Sequence, residues 1–193
     1  MNSAPAPSLT RSRLALIGIL AVFVAPIAIA WLFASGVFDV HDRTLVNRGE
    51  LLSPPIDLTP EQARPGFAPL FALAPSEWAI VYVDSGPCGE ECAGTLDQLL
   101  VVREMLGQGA VRAFVHAVTA GPATAPTHAA RVHADPAAVT WLIAKLAARL
   151  PRTSPPRVVL VDWRHQLVLH YPPDELRAIQ QDLKRLLRAS AIR

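Results

Sequence analysis

Several things are scarce in this chain. Of its 193 residues only two are cysteine, aromatics make up 6% and charged residues 18%. Two cysteines exclude a disulfide-dense scaffold and leave one redox couple or half of a metal site. No basic stripe with interleaved aromatics is present, so nothing points to nucleic acid. The formal charge of +2 does not alter that. Arg11 and Arg13 precede an apolar run and every acid follows it; without those two arginines the chain carries 16 basic and 16 acidic residues. A Ser-His-Asp order, a phosphate loop, a paired-carboxylate glycosidase pattern and internal repeats are also missing. What the chain does have is 51% hydrophobic residues, enough to build a core.

Residues 1–13 are polar and end in Arg-Ser-Arg, and Leu14 to Ala34 is an uncharged apolar run of 21 residues. That length suits a helix crossing roughly 30 Å of hydrocarbon. Arginines on its N-terminal side place that end in the cytoplasm, while Asp39 and Asp42 follow on the other flank. A cleaved signal peptide is the rival reading, since Pro26 and Ala28-Ile29-Ala30 resemble a cleavage site. The apolar character continues through Trp31-Leu32-Phe33, which favours an anchor. Both readings deliver the rest of the chain to an oxidising compartment. The expected organisation is a tail at 1–13, a transmembrane helix at 14–34, a linker at 35–43 and a domain at 44–193.

Within the domain, Glu50-Leu51-Leu52 leads to Pro54-Pro55, where strand pairing must stop or stay on an edge. Arg64 to Ser76 reads as a surface excursion. Trp78 to Val83 is a fully buried strand, followed by a Ser-Gly-Pro turn and a helix that starts at or just after Cys88 and stops at Gly107 and Gly109. Val111 to Val118 is the next strand, giving a parallel strand–helix–strand crossover. Thr119 to Ala134 reads as a loop. Asp135-Pro136 starts a helix, with Asp as N-cap. Arg157 to Asp162 and Gln166 to Tyr171 form a hairpin, and a last amphipathic helix carries Leu176, Ile179, Leu183, Leu186 and Leu187. The expected fold class is α/β: a central mixed sheet flanked by helices.

Both cysteines fall at the strand-to-helix junction, where unpaired helix N–H groups favour a thiolate. Residues four apart share a helix face with Cβ atoms about 5–6 Å apart, whereas a disulfide wants about 3.5–4.5 Å. Cys88 must therefore sit in a non-helical cap, or the first turn must adjust. Three intervening residues suit a soft metal ion between two thiolates as well as a disulfide. Cys88, expected to be the more exposed, is the candidate attacking thiol and Cys92 the resolving one. Glu90 and Glu91 disfavour a strongly depressed thiol pKa, though acids are common in a first helical turn. His128 and His133 lie in the Pro/Ala loop, within reach of the thiols as candidate ligands. His116 reads as a partly buried strand residue.

The pattern of Trp, apolar strand and Cys-x-x-x-Cys, then Val-Leu-Val-Asp, Leu-Val-Leu-x-Tyr-Pro and Asp-Leu-Lys-x-Leu-Leu, resembles Sco-type proteins. It resembles more closely the single-pass, thioredoxin-like proteins associated with bacterial cytochrome oxidase assembly, as does the Asn-Arg-Gly-Glu-Leu-Leu-Ser-Pro-Pro entry. The resemblance spans residues 44–189 and implies a thioredoxin-like fold in a periplasmic domain tethered to the bacterial inner membrane. It implies oxidase subunits or other assembly factors as partners. Cys88 and Cys92 match the family cysteines, implying a thiol–disulfide role or copper held by both sulfurs and a histidine. In the family that histidine precedes the strand that is here Val158 to Val161, where Pro151 to Pro156 contains none. The Asp-Pro-x-Gly turn is replaced by Asp162-Trp163-Arg164-His165. The residues alone name no cofactor; copper is what the resemblance implies, with Cys88, Cys92 and His133 as its candidate ligands. Pro156 stands where thioredoxin-like folds place a cis-proline beside the thiols.

Overall fold

A computed structural model describes residues 47–127, 130–150 and 154–190, with short pieces at 13, 18–20, 22–28 and 31. The chain divides into two units, Met1–Val46 and Asn47–Arg193. In the first, the described residues are helical and exposed. Ten of the 21 residues of the expected span at 14–34 lie outside the described residues, and among those described no helix is long and apolar enough to cross a membrane.

The second unit is a six-stranded sheet in the order β1-β6-β5-β2-β3-β4, numbered along the chain. Its central strand, β2 (Trp78–Cys88), pairs in parallel with β3 (Ala113–Ala123) and antiparallel with β5 (Arg157–Asp162). β5 and β6 (Gln166–Tyr171) form the expected hairpin, and β1 (Glu50–Asp57) closes one edge against β6. β1 runs through both prolines because it is an edge strand, with its register shifting between Leu51 and Ile56. The opposite edge is β4 (Arg131–Ala134), parallel to β3, within the segment expected to be loop.

Side chains alternate across β2, which feeds two separate cores. Trp78, Ile80 and Tyr82 pack with α1 (Glu90–Glu104) and α3 (Leu176–Ser190). Ala79, Val81 and Val83 pack with α2 (Pro136–Ala147) on the other face. Leu96 and Leu99 of α1 are fully buried, each worth about 1.5–3 kcal/mol relative to exposure. Asp135 caps α2 by accepting from the Ala138 N–H at 2.9 Å. It also accepts from the Gly66 N–H at 2.9 Å. Burial pushes its pKa up, but these donors and Arg64 outweigh that and hold it below the usual range. The segment around Gly66 is therefore no mere surface excursion. Phe67 and Leu70 are buried in the second core, with 3-10 turns at Thr59–Glu61 and Ala68–Ala72 supplying local backbone hydrogen bonds.

The entry to β1 is pinned from α3. Asp182 is buried and accepts from the N–H groups of Arg48 (2.6 Å) and Gly49 (2.9 Å) and from the Tyr171 hydroxyl (3.0 Å). A Cβ at Gly49 would overlap the Tyr171 ring. Gly49→Ala is expected to cost about 1–3 kcal/mol, read as a lower urea midpoint with an unchanged slope.

Candidate functional site

The junction between β2 and α1 is built differently from the turn expected there. β2 continues to Cys88 with register shifts either side of Pro87, which has no N–H for the ladder. Asp84 shapes the approach, accepting from the Gly86 N–H at 3.1 Å and the Tyr82 hydroxyl at 3.2 Å. Burial raises the Tyr82 pKa, and the charges of Asp84 and Glu91 push the same way, so the phenol stays protonated and donating. Gly121 faces Pro87 across the pair, where a Cβ would come within 3.1 Å of the proline ring.

Cys88 and Cys92 form a disulfide with their Cα atoms 5.1 Å apart. Cys88 is the last strand residue, Gly89 the N-cap in an extended conformation, and Cys92 the third residue of α1. A non-helical position for Cys88 is thus what lets the two sulfurs meet. Glu90 and Glu91 occupy the first turn and complement the helix dipole.

The expectation that Cys88 is the more exposed sulfur is overturned: it is 0% exposed and Cys92 3%. Both cysteines belong to the first core, and the chain just beyond β3 is tied to the same junction. Thr124 donates to the Cys88 carbonyl from both its N–H (2.9 Å) and its hydroxyl (3.3 Å), and the Ala125 N–H adds a 3.4 Å contact. Thr124 was not foreseen from the sequence; only the Gly121-Pro122 turn chemistry hints that the chain changes course there.

Pro156 follows a cis peptide bond from Pro155 and immediately precedes Arg157, which pairs with Val83 of β2. It therefore stands at the end of the sheet towards which β2 carries Cys88. His133 does not join this group. Val132 packs against the core that contains the disulfide, so by alternation His133 is on the opposite face, paired in register with Val118 of the second core. The proposed set of Cys88, Cys92 and His133 is accordingly not assembled. Among the described residues no group of three or more His, Cys, Asp or Glu is placed to hold a metal ion. His128 lies outside the described residues.

His133 instead meets His116, with ring centroids 5.9 Å apart, a pairing that sequence reading missed. Burial, then His133 and Arg131, lowers the His116 pKa to about 4 from 6.5, while burial and Arg131 also lower that of His133. Below pH 6.5 the unfolded chain takes up a proton that folded His116 refuses, so stability is lost as pH falls from 6.5 towards about 4. Urea titrations from about pH 7 to about pH 5 should show this decline, with a shallower slope in His116→Leu.

A mixed sheet with helices on both faces and a cystine at the junction of its central strand and first helix defines a thioredoxin-like disulfide domain. The chain belongs to the family described as "Transmembrane-like, thioredoxin-like, C-terminal domain", whose model matches residues 78–190, more than half its length. No curated protein matches it. Among solved structures it is similar to the apo Sco1 protein from Thermus thermophilus, at 14% identity and a TM-score of 0.45, covering 75% of this chain and 99% of that one. It is also similar to BsSco, described as a member of the Sco family of cytochrome c oxidase assembly proteins. There the identity is 11% and the TM-score 0.39, with 59% and 82% of the two chains covered. A secreted thiol-disulfide isomerase from Corynebacterium glutamicum matches at 12% identity and a TM-score of 0.37, covering 58% and 72%.

Proposed function

We propose that this is a membrane-tethered, extracytoplasmic thiol–disulfide protein that acts in cytochrome c oxidase assembly through Cys88 and Cys92. The observation that carries the reading is the cystine at the start of α1. Closing so short a loop contributes only about 2 kcal/mol in the chain-entropy picture, little for a domain with two apolar cores. Exchange with a partner dithiol begins when a partner thiolate attacks one sulfur and the other leaves as thiolate. The partner's second thiol then attacks the mixed disulfide. Two electrons and two protons pass to Cys88 and Cys92, and the partner leaves oxidised; the reverse sequence reduces a partner disulfide. The tether at 14–34 and the oxidase partner rest on the apolar run behind Arg11 and Arg13 and on the Sco resemblance.

Copper was tested against the residues present. Reduced Cys88 and Cys92 offer two soft donors, but His133 faces away and the described residues supply no third ligand beside them. A three-ligand copper site therefore does not fit these residues. His133→Ala is expected to leave any Cu(I) retained by the reduced full-length protein unchanged.

The main test is thiol trapping of the full-length protein in its own cells, with cytochrome c oxidase activity assayed alongside. The pair is expected to be found in both redox states, and Cys88→Ser and Cys92→Ser should each lower oxidase activity to the level of a deletion strain. A pair that is never reduced, with full oxidase activity in Cys88→Ser, would refute the proposal. A reduction potential above about −300 mV is expected for a working couple.

A further inference from the structure

A second feature lies away from the disulfide, where the short edge strand β4 leaves the start of β3 uncovered. β4 pairs only with His116 to Thr119, so the sheet opens beside Phe114 and Val115. A cavity of about 370 Å³ occupies this opening. Its apolar walls come from three parts of the domain: Leu73, Leu100 of α1, and Phe114 of β3. Arg103 and Arg131 also line it, against a single acid, Glu77, whose Oε2 already accepts from the Ala74 N–H at 2.7 Å. Leu100 and Arg103 lie more than two helical turns beyond Cys92, roughly 12–17 Å along α1 at ~1.5 Å per residue.

Each group has a definite relation to the space. Arg103 is held in place by its Nε, which donates to the Ala113 carbonyl at 2.6 Å, so its guanidinium is fixed at the cavity wall. Arg131 is exposed on β4. His116 is only 8% exposed, and its buried Nδ1 has no hydrogen-bond partner. An arginine in the last turn of a helix is ordinary, since it complements the dipole. That accounts for Arg103 alone, and not for Arg131 on a strand or the apolar walls.

We propose that this cavity binds a small apolar molecule bearing one carboxylate, its body against Leu73, Leu100 and Phe114 and its charge between Arg103 and Arg131. The size lies within the ~300–1,000 Å³ usual for small-molecule sites, which combine apolar walls with a few convergent polar groups. Two guanidiniums facing one internally bonded carboxylate leave an excess of positive charge for an anion. Guanidinium also matches carboxylate geometry through paired N–H donors. The site is independent of the disulfide's redox role.

The probe is 3-phenylpropionate, with 3-phenylpropanamide as its neutral counterpart, titrated calorimetrically into the full-length protein against a protein-free blank. The acid is expected to saturate below about 1 mM and the amide to bind at least about tenfold more weakly. Arg131→Gln, at an exposed position of the edge strand β4, should weaken the acid at least about fivefold while leaving the amide unchanged. Leu73→Trp, which fills the cavity, should abolish binding of both. Equal affinity for acid and amide, undiminished binding in Arg131→Gln, or no saturation by about 10 mM would each overturn the proposal.

Discussion

Everything in the domain is arranged around a strand that must be buried on both sides. From Trp78 to Val83 every residue of β2 is buried, and each neighbour in sequence belongs to a different core. Such a strand needs helices on both faces and partners on both edges, or its backbone groups and apolar side chains are left in water. The parallel crossover through α1 supplies one partner and the antiparallel β5 the other. The ladder to β3 shifts register on both sides of Pro87, which removes a donor, and Cys88, paired with Ala123, is the last residue of the strand. The disulfide therefore sits where the most rigid element of the fold hands over to its first helix.

Two buried carboxylates do for the periphery what β2 does for the centre. Asp182 joins the entry segment to α3 and the Tyr171 hydroxyl, and Asp135 joins the start of α2 to the segment at Gly66. In each case a side chain on a helix or at its cap satisfies backbone N–H groups from a distant stretch without regular pairing of its own. Charge-assisted bonds of this kind are worth about 1.5–3 kcal/mol each, more than a neutral pair. Both non-repetitive segments lie against the sheet because these acceptors hold them there.

How much of this was legible depended on whether the signal was local. The strand from Trp78 to Val83, the helix start at Asp135-Pro136 and the amphipathic stripe of α3 follow from period and cap chemistry, and all are present. β4 was invisible because its four residues are partly exposed and its pairing with β3 is purely non-local. The same gap explains the misplaced histidine. Without knowing that residues 131–134 form a strand, nothing says that His133 alternates away from Val132 and from the sulfurs. The burial of Phe67 and Leu70 was missed because short 3-10 turns carry no apolar period. The cysteine pair was legible because there was no other, but its depth was not, since it depends on a core assembled from residues far away in sequence, among them Ala117, Ala130 and Tyr171.

That depth bears on the chemistry. A partner thiolate must approach a sulfur along the S–S axis, and both cysteines are buried, with the chain at Thr124 bonded to the Cys88 carbonyl beside them. Those bonds are neutral ones, each worth about 0.5–1.5 kcal/mol net, so the cover is modest and reversible rather than sealing. A small thiol in solution gains nothing that offsets their loss. A protein partner that lays its own backbone N–H against the same carbonyl replaces what it displaces, and meets little of that barrier. In the proposed exchange, preference for a folded partner over bulk thiols would then come from the loop that follows β3 rather than from the sulfurs themselves.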